Sequence, residues 1–185
     1  MERAGLSERI RRDIDFGENM RVSYREGLEV GYHYYDRHPE EIAFPFGHGL
    51  SYTAFGYRDG NVTLEGDELK VSAVITNLGD RAGVEVVQIY IGQCSPVMSR
   101  PVKELKAFEK VRLEAGQEKR LEIVILVREL GYYNIMLHDW VAEDDWYRVF
   151  IGASSRDIRL ETKIRINGNT PYSVHRTGEA SVGQG

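Results

Sequence analysis

Carboxylic acids are the residues near the start of this chain that could do chemistry. Glu26, Glu29, Asp36, Glu40 and Glu41 lie within one aromatic-rich stretch. Two carboxyl groups held about 5–5.5 Å apart, one of them with a raised pKa, can cleave a glycosidic bond with retention of configuration. No recognisable motif surrounds these acids, and acidic side chains are mostly solvated surface charges. We therefore predict that the chain carries no catalytic carboxylate pair.

A second group of acids lies further along, in the stretch HDWVAEDDW. Its members are Asp139, Glu143, Asp144 and Asp145. Four carboxylates near a turn could bind Ca²⁺, but a calcium loop normally has alternating oxygen ligands around a central glycine. This stretch lacks that arrangement, so we interpret it as a solvated loop between strands and predict no metal site.

Histidine and cysteine offer little further chemistry. The histidines are scattered, without the His-x-x-x-His spacing of a zinc site, at His33, His38, His48, His138 and His175. The single cysteine, Cys94, can form neither an internal disulfide nor a cysteine-based zinc site, and no base lies near it in the sequence. We expect no cofactor.

Aromatic residues between positions 132 and 147 could form a platform for sugar rings. They are Tyr132, Tyr133, Trp140, Trp146 and Tyr147. Trp146 and Tyr147 are consecutive, so on a strand they face opposite sides and one of them belongs to the core. A buried tryptophan or tyrosine is also usual in β-sandwiches. We therefore predict that these aromatics pack mainly in the core and that binding to β-glucans is weak or absent.

The elements that must position these residues are predicted to be strands. Apolar residues recur at period two in ELKVSAVITN and IRLETKIRI, the pattern of a strand with one buried face. The stretch GVEVVQIYIG is apolar on both faces and indicates a central strand. Four more strands are predicted in KELKAFEKVRL, KRLEIVIL, GYYNIMLHDWVA and WYRVFIGAS. Short strands separated by turns predict a mainly β fold, an antiparallel β-sandwich.

Composition divides the chain into four segments. Residues 1–20 are a charged N-terminal extension in which a short helix is predicted from Ser7 to Ile14. Residues 21–57 carry many aromatics and glycines with little periodicity, which indicates a segment docked against another surface or a structured linker. Residues 58–166 hold the predicted strands, and the polar, glycine-rich residues 167–185 are expected to be a flexible tail.

Charge and hydropathy exclude two classes of partner. The net charge is -5, which gives no electrostatic reason to expect binding to nucleic acid or to an anionic membrane surface. The chain also contains no apolar run near the roughly 20 residues that a membrane-spanning helix requires.

Several sequence blocks occur in an order that is highly specific. The first blocks are Tyr24–Gly27, Val30–Tyr32, Tyr34–Asp36 and Phe44–Thr53, the last of which reads FPFGHGLSYT. The later blocks are Thr76–Gly83, Glu85–Tyr90, Arg100–Phe108 and Ile151–Ile158. Over residues 24–160 the chain thus resembles the C-terminal region of glycoside hydrolase family 3 β-glucosidases, with His33 where that family commonly has arginine.

The resemblance implies the end of an α/β domain followed by a fibronectin type III/immunoglobulin-like sandwich. It also implies a parent enzyme, a retaining exo-acting β-glycosidase, with its nucleophilic aspartate on a barrel domain. The acid/base glutamate usually lies on the second, α/β domain. Neither part is matched by this chain, so no catalytic residue is carried over. The implied partners are those missing barrel and α/β domains, and self-association is a further expectation.

One residue of the FPFGHGLSYT block, His48, is a candidate for substrate binding. It lies between Gly47 and Gly49, where a turn residue is expected because glycine permits unusual backbone angles. The resemblance adds a second interpretation, since this segment of the family can lie near the entrance of the active site. We favour the turn.

Taken together, these features predict a non-catalytic accessory module of a family 3 β-glucosidase-like enzyme, inactive alone. The alternative is a binding module, for polysaccharide or for another protein through an exposed sheet edge. A truncated or split gene product without a function of its own is the third hypothesis.

Overall fold

The computed structural model describes residues 15–18, 21–23 and 27–168. Two short strands, β1 (Asp15–Glu18) and β2 (Arg21–Ser23), pair in an antiparallel hairpin. They are followed by a helix, α1 (Tyr32–Arg37), and a 3₁₀ turn, Pro39–Glu41. The helix predicted from Ser7 to Ile14 lies outside the described residues, and so does most of the predicted tail. Within the described ranges, no helix is long and apolar enough to span a membrane.

Seven long strands and one short hairpin make up the rest of the described chain. The long strands are β3 (Phe55–Glu65), β4 (Glu68–Asn77), β5 (Gly83–Gln93), β6 (Glu104–Leu113), β7 (Glu118–Leu126), β10 (Asp145–Gly152) and β11 (Ile158–Ile166). A 3₁₀ turn, Val127–Leu130, leads from β7 into the hairpin of β8 (Tyr132–Asn134) and β9 (Asp139–Val141). The predicted mainly β architecture is confirmed.

The long strands form two antiparallel sheets. One sheet has the order β11-β10-β5-β6 and the other the order β3-β4-β7. Their inner faces form a continuous apolar core, to which β4 contributes Leu69, Val71 and Ile75, and β10 contributes Val149 and Ile151. The period-two pattern of β4 therefore marks its buried face correctly. The same holds in β11, where every second residue from Ile158 to Ile166 is at least partly buried.

From Val87 to Gly92, strand β5 is buried on both faces, as its sequence predicted, whereas Val84 and Val86 near its start are exposed. Val87, Ile89 and Ile91 point into the core between the sheets. Gln88 and Tyr90 lie on the opposite face and are also buried, with Tyr90 fully inaccessible to solvent. Burying a large side chain contributes roughly 1.5–3 kcal/mol, so whatever covers this outer face stabilises the fold substantially.

Two details of the sandwich differ from the prediction. The first strand begins at Phe55, so the segment boundary expected between residues 57 and 58 lies inside β3.

The single strand predicted from GYYNIMLHDWVA is wrong, because the stretch folds into β8, a turn and β9. The side chain of Asn134 accepts hydrogen bonds from the backbone N–H groups of Met136 (2.9 Å) and Leu137 (3.2 Å). An asparagine that binds its own following backbone in this way closes a turn that hydrophobic periodicity does not reveal.

Candidate functional site

The outer face of β5 is covered by residues 27–54, here called the N-terminal segment. Its helix α1 attaches at one end, where the hydroxyl of Tyr32 accepts a hydrogen bond of 2.9 Å from the backbone N–H of Leu105. The ring of Tyr32 meets the ring of Tyr90 edge-on, with 6.1 Å between their centroids. Burial raises the pKa of Tyr32, and burial likewise raises the pKa of Tyr90. Both phenols therefore stay protonated and available for hydrogen bonding.

A buried ion pair strengthens this first attachment. The ammonium of Lys103 lies 2.6 Å from Oδ1 of Asp36 on α1. Only 11% of the lysine side chain and 5% of the aspartate side chain are exposed. The second carboxylate oxygen of Asp36 is buried and has no hydrogen-bond partner among the described residues. Since Asp36 is held by a counter-charge, it is not available as a general base.

The middle of the N-terminal segment is fastened through backbone groups of the FPFG block. The carbonyl of Phe46 accepts from the backbone N–H of Ser155 at 2.9 Å, and the carbonyl of Gly47 accepts from Nε2 of Gln88 at 3.1 Å. Gly47 has φ of +77°, and a Cβ added there would lie 2.2 Å from the Gln88 side chain. Glycine is required at this position for both reasons.

The end of the N-terminal segment is fastened to Asn77 at the end of β4. The hydroxyl of Thr53 donates a 2.6 Å hydrogen bond to Oδ1 of Asn77. The amide nitrogen of Asn77 donates to the carbonyls of Arg81 (2.8 Å) and Leu113 (3.2 Å), and Oδ1 also accepts from Gly79 N–H (3.1 Å). The oxygen and the nitrogen of this buried amide therefore each make two hydrogen bonds, and buried polar groups generally have such partners.

The N-terminal segment also presents apolar side chains to solvent. Leu50 is 93% exposed and Tyr52 is 95% exposed, although both lie within a few residues of the Thr53–Asn77 hydrogen bond. Phe44 is largely exposed as well, and Leu78 is exposed where β4 ends. Contiguous exposed apolar patches usually mark an interface. These exposed apolar side chains thus lie on a backbone that is fastened to the sandwich.

Two of the candidate acids of this segment form ion pairs, and two others lie close to a histidine. Asp36 binds Lys103, Glu29 binds Arg37 at 2.9 Å, and Glu26 lies outside the described residues. Glu40 and Glu41 lie near His38, with possible ligand atoms within 4.8 Å of one another. Glu40 is solvent-exposed, and exposed acids often converge without a metal, so we assign no site to this group.

The acids of the second group act as hydrogen-bond acceptors that hold a loop. Glu143 accepts from the hydroxyl of Tyr132 at 2.9 Å and from the backbone N–H of Val97 at 3.1 Å. Asp145 accepts from the backbone N–H of Ser95 at 2.6 Å. Glu143 and Asp145 are therefore partly or fully buried and fix the loop that follows β5, which differs from the solvated loop expected from the sequence.

His48 lies on the exposed turn at Gly47. Its backbone N–H donates a 3.0 Å hydrogen bond to the carbonyl of Pro45, and its ring stacks on Phe44 with 5.3 Å between centroids. The exposed thiol of Cys94 lies far along the chain at the end of β5. These positions bring neither residue into a catalytic arrangement with the acids above.

The aromatic residues divide between core and surface. Tyr147 is buried, donates to the carbonyl of Glu143 at 3.1 Å and has a pKa raised by burial to about 12. Its neighbour Trp146 faces the other way and is 41% exposed, as strand alternation predicted. The expectation of core packing is wrong for Tyr133 and Trp140, which are 49% and 44% exposed. They face each other across the β8–β9 hairpin with ring centroids 6.0 Å apart.

A cavity of about 390 Å³ opens beside this aromatic pair. It lies between the start of the N-terminal segment, the β8–β9 hairpin and the loop before β6, and Arg100 and Glu104 contribute charged groups to its wall. The sequence does not reveal this grouping, because its members are separated by dozens of residues and share no motif.

Comparisons with known proteins agree with this architecture. The sequence profile of the fibronectin type III-like domain matches residues 85–155. Thermostable β-glucosidase B of Acetivibrio thermocellus is 45% identical over 170 residues, which cover 90% of this chain and 22% of that protein. A β-glucosidase of Kluyveromyces marxianus is 44% identical over 140 residues, or 75% of this chain and 17% of that protein.

Solved structures of β-glucosidases also match the fold of this chain. The crystal structure of the Bifidobacterium adolescentis GH3 β-glucosidase superposes with a TM-score of 0.79 at 37% identity, over 83% of this chain and 23% of that one. This chain carries the C-terminal region of a family 3 glycoside hydrolase. β-Glucosidase 3B of Thermotoga neapolitana, in complex with glucose, matches this family 3 region with a TM-score of 0.75 at 42% identity, over 83% of this chain and 22% of that chain. The chain spans about a fifth of the length of these relatives, in which the region is part of a larger protein.

Proposed function

We propose that this family 3 region is a non-catalytic accessory module that docks onto the catalytic part of a β-glucosidase-like enzyme. The parent reaction is hydrolysis of terminal β-glucosyl residues with retention. The relatives named above are β-glucosidases, and they carry about four-fifths of their length outside the matched region. A barrel alone needs about 250 residues, which is more than this chain contains.

The proposal assigns a role to the two described parts of the chain. The N-terminal segment docks the module, and the sandwich of β3 to β11, Phe55 to Ile166, supports it. No residue of the chain acts in catalysis, and His48 serves the turn. The proposed partners are the barrel and α/β domains of the parent enzyme.

The observation that supports docking is the contrast between backbone and side chains around Tyr52. The backbone is fastened to the sandwich through Thr53 and Asn77, whereas Leu50 and Tyr52 extend almost entirely into solvent. An aromatic side chain buries about 150–250 Å² when it packs, and tyrosine is enriched among residues that dominate binding energy. A pre-positioned pair of this kind suits a permanent interface, because little conformational entropy is lost on docking.

Complementation of a truncated relative tests the proposal. Acetivibrio thermocellus β-glucosidase B lacking its matched C-terminal region is mixed with this chain, and hydrolysis of an aryl β-glucoside is measured together with co-elution. We expect the chain alone to be inactive, the truncated enzyme to be impaired, and the mixture to recover activity. The double variant Leu50→Ser/Tyr52→Ser should weaken association by at least about tenfold.

Phe108→Ser is the matched control, because Phe108 is also an exposed aromatic, on β6. An equal loss of association in Phe108→Ser and in the double variant would contradict docking through the N-terminal segment. Hydrolysis of the aryl β-glucoside by the chain alone would contradict a non-catalytic module. Self-association of the isolated chain through the same patch is expected in light scattering, and it should disappear in the Leu50→Ser/Tyr52→Ser variant.

A further inference from the structure

The cavity beside the β8–β9 hairpin has the size and the lining of a small-molecule site. Its volume of about 390 Å³ falls within the roughly 300–1,000 Å³ typical of ligand pockets. Such pockets are lined mainly by apolar and aromatic side chains with a few fixed polar groups. Trp140, Tyr133 and Tyr132 supply the aromatic surface here, and Arg100, Glu104 and His33 supply the polar groups.

The aromatic part of the wall is held in place. Tyr133 and Trp140 are paired across the hairpin, whose turn is closed by the side chain of Asn134. The hydroxyl of Tyr132 donates to Glu143, and the guanidinium of Arg100 lies 5.7 Å from the centre of the Tyr132 ring. Rings that are fixed before binding lose little rotamer entropy when a ligand stacks on them.

The polar part of the wall is nearly neutral overall. Arg100 donates to Glu104 at 2.8 Å and to the backbone carbonyl of Leu130 at 2.9 Å, so opposite charges sit side by side in fixed positions. A paired arginine and glutamate offer both donors and acceptors without favouring a charged ligand.

The cavity and the proposed docking patch lie at opposite ends of β5. Arg100 and Glu104 are next to the last residues of β5, where Ile91 pairs with Glu104. Thr53, by contrast, lies against Gly83, the first residue of β5. Eleven residues separate the strand ends by about 33 Å at 3.3 Å per residue, so the cavity lies well away from Leu50 and Tyr52.

We infer that this cavity binds a neutral saccharide of one or two pyranose rings. A pyranose has an apolar C–H face that stacks on an aromatic ring and hydroxyl groups that both donate and accept hydrogen bonds. The Trp140–Tyr133 pair matches the first property, and the Arg100–Glu104 pair matches the second. The site gives the module a binding function of its own.

Calorimetric titration of the full chain with cellobiose tests the inference. We expect saturable binding that weakens about tenfold or more in Trp140→Ala. Trp146→Ala is the matched control, since Trp146 is equally exposed but lies outside the cavity, beneath the ammonium of Lys163 at 5.0 Å. Sorbitol, which has hydroxyls but no ring, should not bind.

Thermal unfolding of each variant separates loss of the site from loss of the fold. Absence of saturable binding to the intact chain overturns the inference, as does an equal effect of Trp140→Ala and Trp146→Ala in folded proteins. If cellobiose does not bind but Trp140→Ala weakens complementation of the truncated β-glucosidase, the surface is a protein contact and the saccharide assignment is wrong. Because the titration uses the chain alone, its outcome is independent of whether the module docks.

Discussion

The ammonium of Lys103 lies 2.6 Å from Oδ1 of Asp36, which joins helix α1 to the sandwich across 67 residues of sequence. Both side chains are almost completely buried. A buried ion pair is costly to break, because removing one partner leaves the other charge without compensation. The pair therefore controls whether the N-terminal segment stays on the outer face of β5.

Lys103→Met is expected to release α1. Leaving Asp36 buried without its counter-charge costs about 3–5 kcal/mol, which corresponds to a rise of about a hundredfold or more in hydrogen exchange over residues 32–37. The double variant Asp36→Leu/Lys103→Met should restore most of the protection, because an apolar pair of similar size avoids the unpaired charge. Unchanged exchange in Lys103→Met would show that the pair does not hold the helix.

Gly47→Ala is expected to loosen the FPFG turn. A side chain at φ of +77° costs about 1–3 kcal/mol, and its Cβ would also displace Gln88 from the Gly47 carbonyl. Gly49→Ala is the matched control, because Gly49 lacks a positive φ and a Cβ there meets no atom within 4 Å. Differential scanning calorimetry should show a lower melting temperature for Gly47→Ala alone, and equal melting temperatures would refute the close approach to Gln88.

Glu85→Gln is expected to change how stability depends on pH. Burial raises the pKa of Glu85, which accepts a 2.6 Å hydrogen bond from the hydroxyl of Tyr57. The folded protein therefore retains a proton at pH values where the unfolded chain has lost it. This contribution to stability is fully present below the ordinary glutamate pKa of 4.5 and is lost as the pH rises through the raised pKa of the folded state.

Urea unfolding at several pH values measures this effect. The glutamine variant should be more stable than the parent at pH about 7, and the difference should shrink as the pH falls toward the ordinary glutamate pKa. Glu114→Gln, on the exposed turn between β6 and β7, is the surface control. If the difference in stability between the glutamine variant and the parent grew as the pH fell, the pKa of Glu85 would be lowered in the folded protein. Burial could then not be the cause of the shift.

Asn77→Ala is expected to destabilise the sandwich by roughly 3 kcal/mol, because it removes the buried hydrogen bonds to the carbonyls of Leu113 and Arg81 and from the hydroxyl of Thr53. Asn61→Ala, at an exposed position of β3, should change the free energy of unfolding little. Asn77→Asp keeps the acceptor for Thr53 but turns a buried carboxylate oxygen toward the carbonyls of Arg81 and Leu113, so its loss of stability at neutral pH should be at least as large as that of Asn77→Ala. Equal stability of Asn77→Ala and Asn61→Ala would contradict the role given to the amide.

The sequence by itself determined which side of each regular strand faces the core. In β4 and β11 the period-two pattern matches the buried face, because successive side chains on a strand point to opposite sides. It also identified the family, since the ordered blocks from Tyr24 to Ile158 are matched by the relatives described above.

Only the tertiary structure decided what covers the second face of β5 and what lies beside the β8–β9 hairpin. Apolar residues on both faces of β5 indicate a central strand, but not that Tyr32 packs on Tyr90 or that Asp36 meets Lys103. Local periodicity also could not separate a surface pair such as Tyr133 and Trp140 from core aromatics. These relationships join residues far apart in the chain, and their geometry depends on how the segments pack rather than on any local preference.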